Sequence, residues 1–303
     1  MEHQKGTVIR RMKGFYYLRT QSGLEIECKI KGQLFKDSRF DNQIAVGDSV
    51  LFKKRENDRI GLITGIEKRK SFLSRARIGI GVEQVIAANV DILLIVMSAK
   101  DPPFRVNLIN RFLVAALAGN IIPILVISKV DLVNAEYLSQ LTTPYIGMDL
   151  RIIRFSTMET ETHPELTKVI SDNICVLAGQ SGVGKSSLLN TLFPRLSIKI
   201  GKINRKTLKG SHTTTNARMH QVAENGFVID TPGIREFGLW NVSKNNLDQY
   251  YPGFEEYIHG CKHRNCHHVT EPKCSVKSAV ERGDIHRVIY NGYLSIYHSL
   301  SGK

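Results

Sequence analysis

The stretch Gly179-Gln180-Ser181-Gly182-Val183-Gly184-Lys185-Ser186 fits the pattern G-x-x-x-x-G-K-[ST], and few chain geometries accommodate it. Before it runs an apolar segment, Ile174-Cys175-Val176-Leu177-Ala178, that reads as a buried strand. After it, Ser187-Leu188-Leu189-Asn190-Thr191-Leu192 reads as a helix. Strand, glycine loop and helix in that order make a phosphate cradle. The glycines let successive backbone N–H groups converge on an anion, and the helix N-terminus adds partial positive charge at the same place. Residues 179–187 are therefore candidate phosphate-binding residues. Lys185 is expected to reach the β- and γ-phosphates, and the Ser186 hydroxyl to ligate Mg²⁺.

A phosphate cradle does not choose a base. That choice points upstream, where the apolar run Ile121–Ile127 leads into Ser128-Lys129-Val130-Asp131, which resembles the [NT]-K-x-D element of guanine-nucleotide-binding proteins. A carboxylate at Asp131 accepts hydrogen bonds from the guanine N1–H and 2-amino groups. Adenine offers neither donor, and an unpaired buried carboxylate is costly. The Lys129 stem can lie along the base plane. Ser128 keeps a hydroxyl where the pattern has an amide or threonine. Ser156-Thr157, after the apolar Ile152-Ile153-Arg154-Phe155, is the expected loop whose backbone N–H meets guanine O6.

Downstream of the cradle lies Asp230-Thr231-Pro232-Gly233, a D-x-x-G element. Asp230 is expected to support Mg²⁺, and the Gly233 N–H to sense the γ-phosphate. Between cradle and D-x-x-G stands Gly210-Ser211-His212-Thr213-Thr214-Thr215, in the position of a switch segment. Thr214 is the favoured Mg²⁺ ligand of that run, with its neighbouring threonines left open. The base-reading element thus precedes the cradle, a rotated order. Chain termini of compact domains often lie close together, so rotation preserves a site.

Three of the five cysteines cluster in Cys261-x(4)-Cys266-His267-His268-x(5)-Cys274. Three thiols and one imidazole suit a tetrahedral, closed and hence structural zinc site. Such a site would staple a C-terminal region with little apolar surface of its own. Cys28 and Cys175 read as ordinary buried thiols.

Taken together, Gly-Gln-Ser-Gly-Val-Gly-Lys-Ser-Ser, Gly-x-His-Thr-Thr-Thr, Asp-Thr-Pro-Gly and the Cys/His cluster resemble the ribosome small-subunit-dependent GTPase A family (RsgA, also called YjeQ or YloQ), circularly permuted GTPases of bacteria. The similarity runs nearly end to end. It implies GTP hydrolysis stimulated by the small ribosomal subunit, a role in late maturation of that subunit, and release after hydrolysis. The family pattern C-x(4)-C-x-H-x(5)-C selects His268 as the fourth zinc ligand, leaving His263 and His267 outside. The family also carries a histidine at the place of His212. That agrees with a chemical need, because Ile234 occupies the position where Ras-like enzymes hold a water-orienting glutamine. His212 is therefore the candidate catalytic group beside Lys185 and Thr214. A nucleotide-gated RNA-binding scaffold is the alternative class, and an ATPase is disfavoured by Asp131.

A chain of 303 residues allows two or three domains. The expected division is an all-β OB-type barrel at 1–68, a permuted α/β P-loop GTPase unit at 69–237 and a small α-rich zinc-binding unit at 238–303. Residues 1–68 hold about five short strand-like runs, whereas strand–helix alternation begins near Val85. The net charge of +14 and pI of 9.6 imply a polyanionic partner, ribosomal RNA on the resemblance. Phe15, Tyr16 and Tyr17 beside Arg10, Arg11, Lys13 and Arg19 suggest an RNA face, with some of the aromatics in the core. Basic residues also cluster at 53–55, at 68–77, and between Arg195 and Lys209, where like charges disfavour a compact unliganded loop. Tyr250, Tyr251, Lys262, Arg264 and Lys277 suggest a second contact. No membrane span and no signal segment are expected, since no apolar run is long enough and Met1-Glu2-His3-Gln4-Lys5-Gly6 lacks an apolar stretch. A cytoplasmic monomer is expected.

Overall fold

Alternating apolar residues near the N-terminus close a barrel. The computed structural model describes residues 3–12, 14–30, 44–55, 58–76, 83–194, 217–230 and 239–300. Strands β1 (Gln4–Met12), β2 (Phe15–Thr20), β3 (Glu25–Ile30), β4 (Ser49–Lys53) and β5 (Gly61–Ile66) run in the order β1-β2-β3-β5-β4, and β4 returns to β1. Only the β3–β5 pair of this ring is parallel. That is the closure of an OB-type Greek-key barrel. Period two sends Val8, Tyr16, Leu18, Cys28, Val50, Phe52 and Ile63 inward as its core. Gly61 is required there, because a Cβ would lie 2.7 Å from Cys28 Sγ.

A two-stranded ribbon, β6 (Phe72–Ala76) and β7 (Glu83–Ala88), leads out of the barrel. The sequence reading did not assign it. Its mixed residues lack a clear period. Beyond it come β8 (Ile92–Ser98), α1 (Val106–Ala118), β9 (Ile122–Ser128), α2 (Ala135–Thr142), β10 (Arg151–Phe155), α3 (His163–Ser171), β11 (Ile174–Ala178), α4 (Lys185–Leu192), β12 (Arg218–Gln221) and β13 (Phe227–Asp230). Strands β10-β9-β8-β11-β13 are parallel neighbours, and β12 pairs antiparallel with β13. Every residue of central β8 is buried, as expected of a strand covered on both faces. The parallel register aligns Ser98 with Ser128, and Ser128 with Phe155, so the strands end along one edge.

The C-terminal part contains α5 (Glu255–Ile258), α6 (Ser275–Arg282) and α7 (Arg287–Ser299). Helix α7 lies against α1 so closely that a Cβ on Gly292 would meet Asn110 Nδ2 at 1.9 Å. Tyr251 meets Tyr293 edge to face, Phe254 packs tilted against both, and the three share one apolar cluster with Phe112, Leu113 and Ile127 of the α/β unit. The expected architecture of barrel, permuted α/β sheet and α-rich C-terminal module is present. Among the described residues no helix is long and apolar enough to cross a membrane.

Candidate functional site

The P-loop backbone explains its glycines. Gly179, Gly182 and Gly184 have φ of +139°, +85° and +95°, a region that side chains disfavour. Gly179 also passes so near β8 that a Cβ would sit 2.2 Å from the Val96 carbonyl oxygen. Val183 between them is fully buried and anchors the loop in the core under α4. Helix α4 begins at Lys185 with Gly184 as its cap, which directs the N-terminus at the loop. Lys185 Nζ donates to Gly179 O at 2.7 Å and Gln180 O at 2.8 Å, so the ammonium stands over the loop it belongs to. Gln180 Nε2 donates to Pro103 O and ties the loop to the segment before α1. An open groove of about 630 Å³ follows the outer side of this junction, between Gln180, Ser181, Arg105 and Arg111.

The two base-reading loops meet the P-loop and each other. Ser128 is buried, and its hydroxyl lies 2.5 Å from Val183 O and 3.2 Å from Met97 O. A single O–H therefore bridges β9, β8 and the P-loop. Lys129 takes a left-handed conformation with φ of +57°, and its ammonium donates to Asp101 O. Asp131 is exposed, and its Oδ1 accepts from Ser156 Oγ at 2.6 Å. Ser156 Oγ also accepts from Met158 N, while Ser156 O meets His163 Nε2 at 2.8 Å. His163 in turn stacks on Phe155, with ring centroids 5.3 Å apart. The Ser156 side chain thus fixes the Asp131 carboxylate, whereas the sequence pattern points only to the loop's backbone. Thr157 is exposed beside it.

Asp230 ends β13, one strand beyond the P-loop strand. Burial raises its carboxyl above the ordinary range, opposed by the positive charge of His220 and Lys185. Lys185 and Asp230 are therefore close enough to feel each other. Ser186 on α4 and Asp230 supply oxygen donors of the kind that Mg²⁺ takes beside phosphates. His212, Thr214, Gly233 and Ile234 lie outside the described residues, as does the basic segment 195–209.

The cysteine cluster converges. The Sγ atoms of Cys261, Cys266 and Cys274 and a ring nitrogen of His268 all lie within 4.8 Å of one another. His268 turns Nδ1 toward the sulfurs, 3.5 Å from Cys261 and 3.3 Å from Cys274. Its Nε2 faces Asp248 Oδ2 at 3.4 Å. That pairing fixes the tautomer with Nδ1 free to bind metal. His268 itself has φ of +59°, and Tyr290 O–H donates to its carbonyl at 2.6 Å. Burial pushes the Cys261 thiol up, but the Ser275 and Val276 N–H groups at the start of α6, with His268, bring it net below its ordinary value. The donor set, its closure and its enclosure fit a structural zinc ion. Glu271 organises the loop between ligands: its carboxylate accepts from the N–H groups of His267, Val269 and Thr270 at 2.9–3.0 Å. Desolvation opposes these bonds, yet they hold its carboxyl at about 2. Asp248 and Glu271 were missed in the sequence. Of the proposed second contact surface, Tyr251 is excluded, since it is fully buried and its O–H donates to Ile289 O. Cys28 and Cys175 are buried, and burial lifts their thiols to about 11 and about 12.

A family model described as RsgA GTPase matches residues 66–240, more than half of the chain, and one described as RsgA N-terminal domain matches residues 5–63. The chain belongs to the RsgA GTPase family. Similar curated relatives include the small ribosomal subunit biogenesis GTPase RsgA of Chlorobaculum tepidum, 36% identical over 99% of this chain and 99% of its own length. That of Shouchella clausii is 36% identical over 99% and 98%. Among solved structures, YjeQ from Thermotoga maritima superposes with a TM-score of 0.80 at 29% identity, covering 100% of both chains. YloQ, titled a circularly permuted GTPase, gives 0.74 at 29% identity over 97% of this chain and 94% of its own.

Proposed function

We propose that this chain binds and hydrolyses GTP and serves in the biogenesis of the small ribosomal subunit, the role named in its relatives. One observation carries the nucleotide reading: the Ser128 hydroxyl on Val183 O joins the base-reading loop to the P-loop across a single strand. In this reading the P-loop N–H groups and Lys185 hold the β- and γ-phosphates. Asp131, steadied by Ser156, takes the guanine N1–H and 2-amino group, with Lys129 along the base and the Thr157 backbone beside O6. Ser186, Asp230 and Thr214 would hold Mg²⁺, which would supply positive charge beside the phosphate oxygens. Gly233 meets the γ-phosphate. His212 orients the attacking water in place of the absent glutamine.

In this reading the barrel makes the ribosomal RNA contact. Supporting it, Lys29 lies 4.6 Å above Phe15 and Arg10 3.8 Å above Tyr17, an interleaving of cations and rings on one face. The division at 68/69 and 237/238, the monomeric state and the cytoplasmic setting belong to the same proposal. Phosphate release with and without purified small subunits tests it: hydrolysis should rise several-fold with subunits, and His212→Ala should lose that rise while retaining GTP binding. Equal rates in the two conditions would remove the subunit-dependent part.

A further inference from the structure

Among the described residues the barrel and the nucleotide-binding sheet are hydrogen-bonded into one 11-stranded sheet, and a single strand pair, β1 with β12, joins them. In that pair Arg10 stands opposite Arg218. Arg218 is also opposite Asp230 on β13, and Arg10 opposite Tyr17 on β2. Directly opposed residues of antiparallel strands share a face, with Cβ atoms roughly 5 Å apart. Asp230, Arg218, Arg10 and Tyr17 therefore form one row from the nucleotide site to the barrel. The other face of the joint is apolar. Ile9 and Met219, the chain neighbours of the two arginines, are 8% and 6% exposed and belong to one core cluster. Packing below thus fixes two arginines side by side above.

Like charges directly opposite each other are unfavourable in a sheet, and arginine cannot relieve that by losing its proton. The Arg10 guanidinium lies 3.8 Å over the Tyr17 ring. Its Nε meets no acceptor among the described residues, and the Glu25 carboxylate is 4.0 Å from Nη2. Arg218 is exposed. Asp230, on its other side, is half-buried and also feels the charge of Lys185. A phosphate diester offers oxygens to two guanidinium forks at once and cancels their repulsion. On the same face, two residues along β2 and β3, Lys29 lies 4.6 Å over the Phe15 ring and extends the basic surface along the barrel.

We propose that Arg10 and Arg218 form a phosphodiester-binding site for RNA at the seam between barrel and nucleotide sheet. The proposal rests on the RNA partner put forward above. It gives RNA a hold on β12, the strand bonded directly to the Asp230 strand, so that occupancy of the seam bears on the nucleotide site.

The test is fluorescence anisotropy of a fluorescein-labelled RNA hairpin with the full chain, across a range of KCl concentrations. Arg10→Gln and Arg218→Gln should each weaken binding several-fold and flatten the salt dependence by about one unit of slope. The double variant should fall short of the product of the two, since both groups grip one phosphate. Arg10→Lys keeps the charge and loses the fork; it should retain the slope and forfeit part of the affinity, and this guards against a folding defect. Inorganic phosphate and poly-glutamate serve as competitors. If inorganic phosphate alone occupies the seam while RNA affinity ignores both arginines, or if poly-glutamate is preferred to RNA, the proposal is overturned. Wild-type binding matched by the glutamine variants removes the seam and leaves the RNA partner standing. No RNA binding by the wild-type chain removes both.

Discussion

Ser128 occupies a position where a larger amide is usual, and its hydroxyl reaches two carbonyls, Val183 O and Met97 O. Carbonyls tolerate under-satisfaction better than N–H groups, so Ser128→Ala should cost about 1 kcal/mol, roughly a fivefold loss of nucleotide affinity. Titration with a fluorescent GDP analogue measures it, and unchanged affinity would show the joint to be incidental. Asp131→Asn is a different kind of change. The amide still accepts from Ser156 through its oxygen but presents N–H where the carboxylate presented an acceptor. Preference for GTP over ATP should collapse by a factor of about a hundred or more, and xanthosine triphosphate, with a carbonyl at C2, should gain. Competition binding among the three nucleotides decides. Asp131 was legible in the sequence because it directly follows a buried strand. The hydroxyl that steadies it was not, since Ser156 meets it only after β10 pairs with β9. Tyr251 shows the reverse: beside Tyr250 it reads as a surface pair, yet only tertiary packing decides which ring turns inward.

The zinc loop is an element whose spacing was readable and whose support was not. Four ligands recur at fixed intervals, whereas Asp248 precedes them in a separate turn and Glu271 acts entirely through backbone partners. Asp248→Ala should leave the ligand set complete but free the imidazole, lowering zinc affinity by about 10- to 100-fold. Release of zinc to a colorimetric chelator measures the change, and wild-type release kinetics would count against the role. Glu271 makes a pH prediction. Its carboxyl is held at about 2 in the folded chain, below the ordinary glutamate value of roughly 4.3. The stabilisation is therefore fully present above the ordinary value and is lost as pH falls toward the folded one. With the carboxylate partly solvated, Glu271→Gln should cost only about 1 kcal/mol near neutral pH. The gap between variant and wild-type melting temperatures should narrow as pH drops from 5 to 3. A gap that stays constant over that window would mean the charge contributes nothing.

At the scale of the whole molecule, the rotated order of motifs was legible because each motif is local and follows its own strand. The joints between units were not, because they pair segments distant in the chain: β1 with β12, α1 with α7, and the turn before β4 with the end of β7. That last joint is close-packed through backbone. Gly47, with φ of +93°, lies so close to Ala88 that a Cβ would meet its carbonyl oxygen at 2.0 Å, and Asn89 Nδ2 donates to Gly47 O. Beside it Asp48, fully buried, accepts from Ala45 N at 2.7 Å and from Arg69 Nε and Nη2 at 2.7 and 2.8 Å. Lys5 and Glu67 also form a pair, at 2.6 Å, but their side chains are 50% and 37% exposed. Geometry alone would rank the two pairs alike, and burial separates them. Removing one partner of a buried pair strands the other, at a cost of about 3–5 kcal/mol, whereas an exposed pair contributes roughly 0–1 kcal/mol. Asp48→Ala should therefore lower the urea midpoint sharply and let the barrel unfold ahead of the sheet. Asp48→Asn, which keeps an acceptor for Ala45 N, should recover part of the loss, and Lys5→Ala should melt within about 0.5 kcal/mol of wild type. If Asp48→Ala and Lys5→Ala unfold at the same midpoint, the barrel is held to the sheet by its strand pairing and apolar contacts, and the buried ion pair adds nothing to that hold.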